Sequence, residues 1–167
     1  GIFWIPSWTK GLFTFDPTSQ KFTRLQGEDF SYVRSSYNIV EDKHGNLWFA
    51  SDNGLKKLNP ERTHLTTWSE NPNDEFSLKS NAISSLVLTE GDNLFIGTSK
   101  GIQSTFLDQK AFGVLRHMAG DLNSLSSNEV TAIAGDGSDD IWIGTSGAGM
   151  DRWNKKTNKL IHYQNKP

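Results

Sequence analysis

Apolar and polar positions along this chain follow no helical period in any window. Short runs rich in β-branched and aromatic residues are separated by clusters of Gly, Asp, Asn and Ser, which predicts strands joined by tight turns. One run recurs with an aromatic at its centre: Phe3-Trp4-Ile5-Pro6-Ser7, Leu47-Trp48-Phe49-Ala50-Ser51, Leu94-Phe95-Ile96-Gly97-Thr98 and Ile141-Trp142-Ile143-Gly144-Thr145. Trp4 to Trp48 is 44 residues, and the next two intervals, to Phe95 and to Trp142, are 47 each. A fixed period in this range signals a solenoid or a propeller.

Set in register, the copies define a unit of four strands. A first strand opens near an Asn, at residues 81–88 and 128–134, with 36–40 in the same place. A polar turn follows, then the strand carrying the aromatic pivot. A turn ending in Gly (Gly11, Gly54, Gly101, Gly149) leads to a third strand. Four residues after that Gly stand Phe15, Leu58, Thr105 and Trp153, and eleven after it Phe22, Leu65, Phe112 and Leu160 mark a fourth strand. Four sequential short strands at this period describe a blade of a β-propeller. The expected fold is therefore all-β, a propeller fragment of about four blades at roughly 1–27, 34–70, 81–117 and 128–165, the first without its inner strand. The pivots Trp4, Trp48, Phe95 and Trp142 are expected to fill the gaps between blades. Pro6 cannot donate to a ladder, so its strand is either distorted or an edge.

The chain opens inside a repeat and without an initiator Met, which reads as a piece of a longer protein. An arc of under four blades leaves its end faces bare, so pairing with further blades or with a second copy is expected. Composition narrows function by exclusion. A net charge of −2 without a basic run leaves no footprint for nucleic acid, and the lack of cysteine excludes disulfides and thiolate metal sites. No apolar run approaches a membrane span.

The sequence Asn128-x-Val130-x-x-Ile133, an acidic turn, Ile141-Trp142-Ile143-Gly144-Thr145 and Gly149-Met150-x-x-Trp153-Asn154 resembles the two-component regulator propeller repeat. The connectors Asp74-x-x-Ser77-Leu78-x-Ser80-Asn81 and Asp121-x-x-Ser124-Leu125-x-Ser127-Asn128 match that family's link between blades. Pro6, Thr105 and Leu107-Asp108 depart from its pattern. The resemblance implies an extracytoplasmic sensor propeller of a bacterial membrane receptor, periplasmic or extracellular. Its output, a histidine kinase or a diguanylate cyclase, is absent from this chain. In several members the signal is a carbohydrate fragment.

Sites are expected where copies differ. His44, His64, His117 and His162 fall at different repeat positions, so they form no ring and provide no converging cluster for a metal or a general base. The segment Asp136 to Asp140 lacks the ligand spacing of a calcium loop and reads as a turn. The repeated Asp74/Asp121, Ser77/Ser124 and Asn81/Asn128 resemble a catalytic set, but their recurrence assigns them to backbone groups of the connectors. Trp8 stands where other copies place Asp52, Ser99 and Ser146. The turns between second and third strands share one face with the connectors, and loops on a rigid scaffold commonly bind. The candidate ligand-binding residues are therefore Trp8, Lys10, Asp52, Asn53 and Lys100, with no catalytic residue, metal or cofactor assigned. A non-catalytic sensor is the leading expectation. A metal-dependent enzyme of the streptogramin-lyase type and a purely structural interaction propeller are the alternatives.

Overall fold

The computed structural model describes residues 1–7, 10–25, 38–107 and 112–164. Fifteen strands occur there, in four antiparallel sheets that each follow chain order. The first holds β1 (Phe3–Ser7), β2 (Gly11–Asp16) and β3 (Lys21–Arg24). The second holds β4 (Asn38–Glu41), β5 (Leu47–Ser51), β6 (Gly54–Leu58) and β7 (Leu65–Trp68). The third holds β8 (Ile83–Leu88), β9 (Asn93–Thr98), β10 (Gly101–Phe106) and β11 (Gly113–Leu115). The fourth holds β12 (Val130–Gly135), β13 (Asp140–Thr145), β14 (Gly149–Asn154) and β15 (Lys159–Tyr163). The first strands β4, β8 and β12 approach one another across neighbouring sheets and mark the inner side of the arc. Among the described residues β1 pairs with β2 alone, so Pro6 lies on an edge, opposite Leu12.

Strand alternation explains how the blades mate. Side chains of odd and even positions leave opposite faces of a sheet, and each pivot strand sends its aromatic one way and its two flanking apolar residues the other. Leu47 and Phe49 pack on Leu12 of the first blade, with Trp4 alongside. Trp48 and Ala50 meet Leu86, Leu94 and Ile96 of the third. Phe95 joins Ile133, Ile141 and Ile143 of the fourth, with its ring edge-on to Trp153 at 5.4 Å. Each of the two described connectors adds one leucine, Leu78 to the second interface and Leu125 to the third. Inner strands add hydrogen bonds between blades: Leu86 N donates to Asn38 Oδ1 at 2.9 Å and Ser84 Oγ to the Val130 carbonyl at 2.8 Å.

Trp142 departs from the expected packing between blades. It is half-buried and lies on the outer face of the last sheet, under Arg152 and tilted against Tyr163. Its strand is the pivot of the last described blade, and among the described residues no further blade covers that face. Met150, Ile161 and Tyr163 are exposed beside it. At the opposite end Phe3 and Phe22 are 60% and 64% exposed, either side of Phe15.

The pivot tryptophan is also tied to the hairpin before it. Asp42 accepts hydrogen bonds from Trp48 Nε1, from Asn46 and from His44 N. Burial pushes this carboxyl up, but those bonds outweigh it and hold it below the usual carboxylate range. Where the pivot is Phe95, which has no N–H to satisfy, the equivalent position is Thr89.

Connectors are clamped by the third strand of the following blade. Gln103 Oε1 accepts from Lys79 N at 2.8 Å. One blade later Asp151 Oδ2 accepts from Ser126 N and Oγ at 2.8 and 3.0 Å. The other oxygen of buried Asp151 meets His162 Nδ1 at 2.7 Å, and His162 Nε2 lies 2.9 Å from the Leu122 carbonyl. Both partners are acceptors, which an imidazolium satisfies with its two N–H groups.

The Gly that ends each second turn has a backbone reason. Gly54 sits at φ +91°, where a Cβ would strike the Trp68 carbonyl. Gly54→Ala is expected to cost at least about 2 kcal/mol, seen as a Tm several degrees lower. Gly91→Ala, with open space around it, is expected to leave Tm within experimental scatter; equal effects would refute the assignment.

The His162 clamp predicts a pH dependence. The Asp151 carboxylate, then the Leu122 carbonyl, raise the His162 pKa above its ordinary 6.5, with burial opposing them. The fold holds the protonated form, so its contribution is complete below about pH 6.5 and is lost as pH rises through the raised value. Thermal unfolding of wild type and His162→Gln is expected to give a Tm gap that is widest near about pH 6 and narrows as the pH rises through the raised value. A pH-independent gap would show that the ring is held neutral.

Candidate functional site

The repeat brings second-to-third-strand turns and connectors onto one face, as expected. Gly54 N donates to the Asn81 carbonyl at 2.8 Å and Gly101 N to the Asn128 carbonyl at 2.7 Å. Ser80 and Ser99 hydroxyls lie 3.4 Å apart, and those of Ser126 and Thr145 lie 3.3 Å apart. The repeated polar residues are consumed in holding these loops. Asn81 Oδ1 accepts from Glu70 N and Asn128 Oδ1 from His117 N, each at 2.7 Å. Ser77 and Ser124 accept from Asn71 N and Met118 N. Asp74 and Asp121 accept from Phe76 N and Asn123 N. An apparent catalytic Asp-Ser set is thus occupied by backbone donors.

Among the described residues the candidate binding residues do not form one cluster: Asp52 and Lys100 line separate cavities. Trp8 lies outside the described residues, and Lys10 is exposed in the turn before β2. Asp52 lines an inner cavity of about 340 Å³ with Ser84, Ser99, Glu129 and Thr131, where first strands of successive blades begin. Asn53 gives its carbonyl to buried Lys56 Nζ at 3.4 Å, the same distance at which Lys56 meets Thr67 Oγ1. Burial pushes the Lys56 ammonium down, and the Asp52 carboxylate offsets part of that.

Lys100 sits further out, in a cleft of about 490 Å³ lined by Glu70, Lys79, Lys100, Val114 and Arg116. Its Nζ is 2.6 Å from Glu70 Oε1. Periodicity placed this part of the connectors on the right face but did not single out Lys79 or Arg116, because neither belongs to a repeated motif. The signal that would have found them is charge at positions where the next blade carries Ser126 and Gln164.

Two further expectations compare directly with the geometry. His117 and His162 do converge, on a groove of about 180 Å³ that includes Asp121. Spacing missed this because the connector folds back over the last strand. His117 Nδ1 lies 2.6 Å from the Leu125 carbonyl, so both rings serve the connector. Asp136 accepts from Ser138 N and Oγ, which holds its carboxyl low, as a turn-forming aspartate does. Among the described residues no group of three His, Cys, Asp or Glu is placed to hold a metal.

A family model described as the two component regulator propeller matches residues 31–53 and 124–147. No curated protein matches the sequence significantly. Among solved structures, the extracellular domain assigned to the hybrid two component system BT3049 of B. thetaiotaomicron superposes over 98% of this chain and 23% of its own, with a TM-score of 0.75 and 20% identity. PorZ, a surface component of the type-IX secretion system of Porphyromonas gingivalis, superposes over 99% and 26%, at 0.72 and 18%. Virginiamycin B lyase from Staphylococcus aureus superposes over 100% and 53%, at 0.63 and 14%. The chain thus spans about a quarter of the first two structures and about half of the third. The likeness to all three is one of fold. With the strand register, the connectors and the matched segments in agreement, the chain is a β-propeller built of repeats similar to the two-component regulator propeller, the family whose model matches two of its segments.

Proposed function

We propose that this chain is a non-catalytic part of an extracytoplasmic sensor propeller that binds a small ligand, glycan-derived in the simplest case, on the face carrying the connectors. The observation that carries this is the division of labour on that face. Residues common to the repeats hold the backbone, while the side chains of Asp52, Asn53 and Lys100 stand at positions that vary between copies. Binding there would change signalling by favouring one of two receptor geometries, which requires different affinities for the two. The exposed aromatic and apolar end faces are the places for further blades or for a second copy, since each repeats a surface that is buried at the internal interfaces. The output kinase or diguanylate cyclase would lie elsewhere in the parent.

The virginiamycin B lyase likeness favours an enzyme as the second reading, and turnover separates the two. Incubating the chain with a panel of oligosaccharides, with calorimetry for binding and mass spectrometry for products, is expected to give saturable binding and unchanged ligand. Asp52→Ala and Asn53→Ala are expected to weaken binding by about tenfold, the scale of a lost hydrogen bond in a polar site. Product formation, or binding indifferent to every substitution on this face, would contradict the proposal.

A further inference from the structure

The outer cleft beside Lys100 differs from its counterpart in the next blade in a way the fold does not require. Three cations, Lys79, Lys100 and Arg116, line it with one carboxylate, Glu70, and the exposed apolar side chain of Val114. The chain as a whole carries a net charge of −2, so this local excess of positive charge runs against the average. In the following repeat the places of Glu70, Lys79 and Arg116 are taken by His117, Ser126 and Gln164, none of them a permanent cation.

The charged side chains stand on fixed backbone. Glu70 N is held by Asn81 Oδ1, Lys79 N by Gln103 Oε1 and Lys100 N by Thr98 Oγ1 at 3.0 Å. The Arg116 carbonyl accepts from Leu125 N. Little backbone ordering would remain to be done on binding, which is how preorganised sites gain affinity. The Glu70 carboxylate against Lys100 shows that the cleft accepts a carboxylate at hydrogen-bond distance. The Arg116 guanidinium has no partner among the described residues. Lys79 Nζ reaches the Asp74 carbonyl at 3.4 Å, a weak contact that leaves its charge uncompensated.

We propose that this cleft binds a ligand bearing two or more carboxylate or sulfate groups, one taken by Arg116 as a bidentate partner and another by Lys79 and Lys100, with Glu70 as the internal group it displaces. The proposal rests on the connector face being the binding face, and it adds the ligand's charge. A free polycarboxylic acid and an acidic saccharide share this chemistry.

The test is calorimetric titration of the chain at low ionic strength with citrate, with a uronic-acid disaccharide and with a neutral disaccharide. At least one acid is expected to bind and to be weakened by added salt, and the tighter of the two identifies the source. Arg116→Ala and Lys79→Gln are expected to weaken it about tenfold or more. Both side chains lie clear of the clamps, so Tm should be unchanged. Glu70→Gln is expected to tighten it, because a competing anion is removed. Failure of both acids, or equal affinity in all three variants, would overturn the proposal. Neutral-disaccharide binding lost in Asp52→Ala would, in that event, leave the connector face standing as the binding face and remove only the charged ligand.

Discussion

Burial of the pivot strand on both sides is the constraint on which the rest of this structure depends. A single short strand must present an aromatic to the next blade and two aliphatic or aromatic neighbours to the previous one. Trp48 and Phe95 are 3% and 1% exposed, and Phe49, Leu94 and Ile96 are inaccessible. Burying a large side chain contributes on the order of 2 kcal/mol, and each blade interface collects several. No blade could bury these residues alone, so stability is shared between neighbours, as in other repeat architectures.

That arrangement also accounts for where binding chemistry can reside. The Asp, Ser and Asn of the connectors are spent on backbone N–H groups, and Gln103 and Asp151 are spent clamping the connectors from below. Lys56, the residue in register with them, is buried and makes long contacts with Asn53 and Thr67. With the loops held this way, side chains at unrepeated positions are free to differ without endangering the fold. Asp52 and Lys100 occupy such positions and open onto separate cavities, one inner and one outer.

Much of the fold was legible because its determinants are local and periodic. The Gly before each third strand, the alternation around Trp48 and the Ser-Leu-x-Ser-Asn connector each fix a backbone event within a few residues. What escaped was set by which blade stands next. Trp142 has the same sequence neighbourhood as Phe95, yet its face lacks a described partner, so an identical motif yields a half-exposed ring. The site was less legible still. Lys79 and Arg116 lie 37 residues apart in sequence and line one cleft through the fold of the connectors, and His117 and His162 share a groove for the same reason. No spacing rule joins such pairs.

The pivot aromatic stabilises the chain chiefly through the blade that follows it, beyond its contacts within its own blade with Asp42 and Trp68. The direct measurement is the unfolding free energy of Trp48→Ala and of Trp142→Ala, made at a dilution where sedimentation shows monomer. Trp48→Ala is expected to cost about 3–5 kcal/mol, as for a buried large aromatic, and Trp142→Ala under about 1 kcal/mol, as for a surface position. Equal losses at the two positions would contradict the account, because they would locate the contribution of the pivot within a single blade.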